Sequence, residues 1–284
     1  MKYLINSLKS KILNYLFIKF SKDMNFNFYL NPKDYISSQI FCYGLHEKKL
    51  LEFIFSILPK KYKRGVCIDI GANIGNHSLF FSNYYSMTHA VEPVLSTFKA
   101  LELNVLINGL TAKIKTHNVA ISSTASYHRF FEYYSGDICR SKIAAKNEAT
   151  PERATEYIIQ TVKGDDIFLD PIDINMIKID AEGHEANIIK GLNKIIQLNK
   201  PILLFEVNAI NHDSGQIISE LKKLGYKFFY SPQIKYYDLK PKILKYFLRT
   251  VFDSKIIIVN IDQDFYHFSP LAIASFEDLN FNEN

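Results

Sequence analysis

Val66-Cys67-Ile68-Asp69-Ile70-Gly71-Ala72-Asn73-Ile74-Gly75 is the stretch whose reading decides the fold. Its first five residues form a short run, apolar apart from Asp69, that stops at a glycine, as a strand buried on both faces does. Gly71 and Gly75 let the chain turn tightly and approach a ligand closely, and Asn73 tolerates a left-handed backbone better than most residues. A helix follows near His77 to Tyr84. Working outward, the same rhythm repeats. Thr88 to Glu92 reads as a strand stopped by Pro93, Thr97 to Leu106 as a helix, and Ile114 to Ile121 as a third strand. Met176 to Asp180, Ile202 to Val207, Tyr226 to Tyr230 and Lys255 to Ile261 read as further strands. His184 to Leu198 and Gly215 to Leu224 are the helices between them, and Glu47 to Leu58 is a helix ahead of the first strand. Alternation of this kind predicts an α/β domain built on a mostly parallel, seven-stranded sheet with helices on both faces.

The flanks read differently. In residues 1–20, Leu4, Leu8, Ile12, Leu16 and Phe20 recur every four positions, while Lys2, Lys9, Lys11 and Lys19 break the apolar character. This is an amphipathic helix, too polar to span a bilayer. It is expected to pack on the domain; contact with the inner face of a membrane is the second reading. The organisation expected is an N-terminal helical extension over 1–41, a catalytic domain over 42–262 and a C-terminal tail over 263–284.

Composition narrows the class. Across 284 residues, 48% are hydrophobic and 22% charged, which are ordinary globular values. A net charge of +5, spread over scattered lysines, gives no basic stripe, so a nucleic-acid partner is not expected. Cys42, Cys67 and Cys139 are odd in number and form no C-x-x-C pair, which fits a reducing, cytoplasmic setting.

In open parallel sheets, ligands bind beyond the carboxyl ends of the strands. The residues there are Asp69, Gly71, Asn73 and Gly75, then Glu92 and Pro93 on the next strand. Glu92 follows Asp69 by 23 positions, where an acidic residue can accept hydrogen bonds from ribose hydroxyls. A dinucleotide fold uses G-x-G-x-x-G under a pyrophosphate. Here the spacing is G-x-N-x-G after an aspartate, whose charge repels a pyrophosphate. The same charge suits the ammonium and sulfonium of S-adenosylmethionine. An NAD-dependent oxidoreductase is therefore the weaker reading.

Asp69-Ile-Gly-Ala-Asn-Ile-Gly75, Glu92-Pro93, Asn104 and Asn108, and the block Lys178-Ile-Asp-Ala-Glu-Gly-His-Glu185 together resemble the FkbM-type methyltransferases. Gly44 and Glu47, and Asp165-Asp166, match that pattern too. Where the family usually has Thr-Leu before Asp-Asp, this chain has Lys163-Gly164. The resemblance covers roughly Cys42 to Asn208. It implies a class I methyltransferase (Rossmann-like) fold, S-adenosylmethionine as donor, and O-methylation, often of sugars or polyketide-type products. Amine-methylating relatives usually carry an N-P-P-Y-like tetrapeptide where this chain reads Asp180-Ala-Glu-Gly, so an RNA or protein amine methyltransferase is the runner-up. A non-catalytic membrane-surface scaffold is disfavoured by the intact motif set.

Methyl transfer needs alignment of acceptor and donor, and a hydroxyl acceptor needs a base or a metal. Asp180, Glu182, His184 and Glu206 are the catalytic candidates, all at or just beyond strand ends. Each also has a structural reading: Asp180 as a helix cap, Glu182 at the positive end of the helix, His184 as a solvated first-turn residue. Asp180, Glu206 and Asn208 are oxygen donors of the kind magnesium accepts, while carboxylates at strand ends also bind hydroxylated substrates directly. Finally, Ser122 to Gln160 interrupts the β-α rhythm. It carries Tyr127, Phe130, Phe131, Tyr133 and Tyr134, and it is expected to cover the cleft and stack on the rings of a small-molecule or glycan acceptor. The alternative is that these rings pack a hairpin onto the core.

Overall fold

The computed structural model describes residues 7–12, 15, 25–31, 35–133, 141–145, 147–168, 173–181, 183–206, 214–235, 255–260 and 271–281. Its helices are α1 (Tyr35–Tyr43), α2 (Lys48–Ile57), α3 (Asn76–Phe81), α4 (Leu95–Ile107), α5 (Gly164–Ile167), α6 (Glu185–Gly191), α7 (Asn193–Asn199) and α8 (Ser214–Lys223). The strands of the main sheet are β1 (Val66–Ile70), β2 (Met87–Val91), β3 (Ile114–His117), β8 (Ile174–Ile179), β9 (Ile202–Glu206), β10 (Phe228–Lys235), β11 (Lys255–Asn260) and β12 (Leu271–Ser275). Their order is β11-β10-β12-β9-β8-β1-β2-β3. The five strands from β3 to β9 run parallel; β12, β10 and β11 pair antiparallel.

Side-chain alternation builds two cores on this sheet. Ile68, Ile70, Ile177, Ile179, Leu203 and Phe205 face one side, against Ile188 and Ile189 of α6, Ile195 and Ile196 of α7, and Leu221 of α8. Cys67, Met176, Ile202 and Leu204 face the other, against Leu50, Leu51, Ile54 and Phe55 of α2. Period-two alternation within otherwise apolar strands is what two covered faces require.

Four expectations change. The sheet has eight strands among the described residues rather than seven, because the expected tail supplies β12. That strand is buried along its length and lies between β9 and β10, so 263–284 is not an appendage. The single helix expected over His184 to Leu198 is two. It breaks at Leu192, where both carboxylate oxygens of Asp165 accept from the Lys194 and Ile195 N–H groups at 3.1 Å and cap α7. Residues 7–12 are helical, but Leu8 and Ile12 are exposed, so this part does not pack on the domain. The boundary expected at residue 41 falls inside α1, whose Ile40 is buried in full. Among the described residues, no helix is long and apolar enough to cross a membrane.

The inserted segment is a second, smaller sheet. β5 (Ser126–Tyr133) pairs antiparallel with β7 (Ala154–Val162) and with the short β6 (Lys142–Ile143), and β4 (Ala120–Ile121) runs parallel to β7.

Candidate active site

The carboxyl ends of β1, β2 and β8 open into one cavity of about 630 Å³. Gly71, Asn73, Glu92, Pro93, Asp180 and His184 line it, so the two halves of the motif set meet there. Gly71 takes φ +74°, and a Cβ at this position would lie 1.8 Å from the Asp180 carbonyl oxygen. Only glycine lets the β1 turn and the end of β8 come this close.

Glu92 is the buried carboxylate of the site. Its Oε2 accepts from the Asn73 N–H at 3.1 Å, and its Oε1 from the Val94 N–H at 2.9 Å. Burial pushes its pKa up to about 7, against the pull of these two N–H groups. Asn73 itself adopts φ 51°, the left-handed conformation expected of it.

Asp69 and Gly75 do not line the cavity, contrary to the expectation that they touch the cofactor. Alternation turns Asp69 away from the mouth, beneath the turn. It is fully buried, its Oδ2 accepts from Ser78 Oγ at 2.6 Å, and its Oδ1 is 3.3 Å from Lys178 Nζ. That last contact is an ion pair without hydrogen-bond alignment. Gly75 packs against Leu101 and Leu79, with φ +94°. Both residues shape the turn.

Lys178 explains much of the K-I-D-x-E-G-x-E block. The register sets it beside Asp69 on adjacent strands. Its Nζ lies 3.2 Å from Asp180 Oδ2 and donates to the Gly71 carbonyl at 3.1 Å. Burial alone would drive off its proton, but the carboxylates of Asp180 and Asp69 outweigh this and hold the amine above its ordinary pKa. Burial works likewise to raise Asp180, and the charges of Lys178 and His77 pull it below its usual range instead. Asp180 is therefore ionised, with a third of its side chain exposed to the cavity. Glu206, at the end of β9, hydrogen-bonds the Asp180 carboxylate and helps hold its pKa down. Glu185 acts locally. Its Oε1 accepts from the Ala181 and Gly183 N–H groups, both at 3.1 Å, and closes the loop after β8.

His184 is not a solvated first-turn residue. Its Nε2 is 3.0 Å from Ser122 Oγ, at the root of the insertion, and burial, with the charge of His128, lowers its pKa. Glu182 and Asn208 lie outside the described residues. Among the described residues, no three His, Cys, Asp or Glu side chains are grouped to hold a metal. Asp180 already has the Lys178 ammonium against it, which disfavours a second cation at that carboxylate.

Two contributors to the cavity carried no motif signal. Tyr29, Leu30, Asn31 and Ile36 come from the expected N-terminal extension, where the Tyr29 N–H donates to Asn104 Oδ1 at 2.6 Å. The traces in sequence are Asn104, whose side chain also donates to the Ile74 carbonyl, and Asn108, whose side chain bonds the Asn27 backbone. The insertion supplies Phe130, Glu132, Tyr133 and Ile159. Its aromatic run is divided: Phe130 and, at the strand's end, Tyr133 reach the cavity, Phe131 is buried, and Tyr127 is exposed. Tyr134 lies outside the described residues.

Hexuronic acid methyltransferase AglP of Haloferax volcanii is 27% identical to this chain over 172 residues, which are 58% of the chain and 66% of that protein. The match thus spans just under two thirds of the relative's length. Among solved structures, the methyltransferase FkbM of Methylobacillus flagellatus KT superposes with a TM-score of 0.41 at 15% identity, over 75% of this chain and 53% of that one. The precorrin-6y C5,15-methyltransferase of Geobacter metallireducens GS-15 gives 0.43 at 12%, over 87% and 94%. At these scores neither adds to the strand order already described. The family model for the methyltransferase FkbM domain matches residues 69–228, more than half of the chain and the span that holds Gly71, Glu92, Asp180 and His184. The chain belongs to the FkbM methyltransferase family.

Proposed function

We propose that the protein transfers the methyl group of S-adenosylmethionine to a hydroxyl of a sugar or related small molecule. The observation that carries this reading is the convergence of Gly71, Asn73 and Glu92 with Asp180 and His184 on one cavity, under the aromatic residues of the insertion. The residues present suit the donor. Gly71 and Asn73 bring backbone against the cavity, and Glu92 offers a carboxylate for ribose hydroxyls, with Pro93 and Val94 beside it. Its volume is in the range of sites for molecules of that size. S-adenosylmethionine supplies the methyl group; the chain's residues hold and deprotonate the acceptor.

Asp180 is ionised by Lys178 and faces the cavity, so it accepts a hydrogen bond from the acceptor hydroxyl and orients it. His184, kept neutral by burial, is the group best able to take the proton. Glu206 steadies Asp180. Phe130 and Tyr133 offer faces on which a sugar ring stacks. The name of the Haloferax volcanii relative, a hexuronic acid methyltransferase, supports a carbohydrate acceptor.

Calorimetry with S-adenosylmethionine and S-adenosylhomocysteine tests the donor. Binding is expected, and Glu92→Ala should weaken it by about 1–3 kcal/mol. Binding of NAD with no response to either ligand would overturn the reading. With a panel of sugars as acceptors, Asp180→Asn should lower turnover while leaving cofactor affinity nearly intact. Loss of both together would make Asp180 structural.

A further inference from the structure

We propose that Glu132, carried by the inserted sheet, is a second carboxylate of the cofactor site that accepts hydrogen bonds from the adenosine end of the ligand. This rests on the reading of the cavity as an S-adenosylmethionine site.

The geometry begins with the hairpin. β5 and β7 pair over eight positions, from Ser126↔Thr161 to Tyr133↔Ala154, so the side chains between them are firmly placed. Phe130 lies opposite Tyr157, and Glu132 opposite Thr155, on one face of this ribbon. That face looks onto the main sheet. Phe130 and Glu132 line the same cavity as Glu92, Val94 and Thr97. Thr97 Oγ1 donates to Glu132 Oε1 at 3.3 Å, and the Tyr157 hydroxyl bonds both Ser96 and Glu132. Ser96 and Thr97 are in the first turn of α4, immediately after Glu92-Pro93-Val94. The insertion is thus tied to the segment that presents Glu92.

The charges point to what lies between them. Glu132 is close enough to Glu92 for its negative charge to disfavour ionisation there. Among the described residues, neither carboxylate has a Lys or Arg nitrogen within ion-pair distance. A carboxylate offers about four lone-pair positions. Thr97 and Tyr157 occupy two on Glu132, and Asn73 and Val94 occupy two on Glu92. Two such acceptors on one cavity suit a ligand rich in neutral donors. Adenosine provides a vicinal diol and an exocyclic amine. A phosphate-bearing nucleotide would be repelled by the same pair.

The test is Glu132→Gln, which keeps the shape of the side chain and its bond from Thr97. At pH 8.5, where Glu92 is ionised in both proteins, calorimetry with S-adenosylhomocysteine should show binding weakened roughly five- to thirtyfold. The pH at which binding reaches half its high-pH strength should also fall, because the like charge opposing Glu92 has gone. Should Glu132→Gln fold poorly, Thr97→Val removes the hydroxyl that orients Glu132, and a smaller loss of affinity is expected. Unchanged affinity together with an unchanged pH profile would overturn the proposal and leave Glu132 as a tie between hairpin and helix. If the unsubstituted protein fails to bind S-adenosylhomocysteine, the cofactor reading itself fails, and the proposal falls with it.

Discussion

At the scale of single residues, Glu92 is where burial and binding oppose each other. The residue is 7% exposed, and burial pushes its pKa up to about 7. Because its folded-state pKa is raised, the ligand-free protein gains from this group at low pH and loses that contribution as pH rises through about 7. The ionised form is the one that can accept both ribose hydroxyls while still accepting from Asn73 and Val94. Binding of S-adenosylhomocysteine should therefore strengthen about tenfold between pH 6 and pH 8, and Glu92→Ala should flatten the dependence. Calorimetry across that range checks it. That Glu92 lines the cavity was legible from sequence, since the end of a parallel strand opens onto the crevice where such sheets bind ligands. The role of Asp69 was not. The same spacing argument places it beside the cavity, and only the direction of its side chain, toward Ser78 and Lys178, turns it away.

At the scale of elements, β8 is an apolar central strand with a lysine inside it. Lys178 is 1% exposed, beside Asp69 on β1 and Asp180 at the strand's own end. A buried cation between two carboxylates is costly to remove on its own, because it strands a charge in the core. Lys178→Met should destabilise the protein by about 3–5 kcal/mol, read as a fall in the urea midpoint. The double substitution Asp69→Asn, Lys178→Met should recover part of that loss. A fall of the same size in the double variant would mean that packing, not charge, sets the cost. The sequence held a usable signal here. A lysine in Met176-Ile177-Lys178-Ile179 calls for an opposite charge on a neighbouring strand, and Asp69 was the acidic residue in the other central run. Residues near the chain's other helices behave alike: Asp165, which belongs to the family pattern, caps α7.

For the whole molecule, the last strand matters most. β12 lies between β9 and β10, and Leu271, Ala272, Ile273 and Ala274 are all 2% exposed or less. The chain beyond it is also anchored: Asp278 Oδ1 accepts from the Tyr230 hydroxyl at 2.8 Å, and Glu277 accepts from Tyr62 at 2.9 Å. A truncation ending at residue 262 should lack a cooperative thermal transition and precipitate on expression. It would leave the edges of β9 and β10 unpaired, and exposed strand edges promote aggregation. A soluble truncated chain with the unfolding cooperativity of the full protein would show that β12 is dispensable. Leu271-Ala-Ile-Ala-Ser275 is five residues long and carries no glycine turn or flanking helix, so local reading assigned it to a tail.

The sequence by itself determined the alternating α/β class, the Gly71 turn, the acidic end of the second strand and the block from Lys178 to Glu185 at the end of a later parallel strand. Each of these is local, set by hydrophobic period, by a glycine where the chain must turn, or by spacing along consecutive strands. Tertiary structure alone decided which acidic groups face the cavity, that the insertion brings Glu132 to it, that residues 29–31 help line it, and that a late strand inserts into the middle of the sheet. The reason is physical. Side-chain direction and strand order depend on register and on partners distant along the chain, and a single sequence encodes these only through the packing of the finished fold.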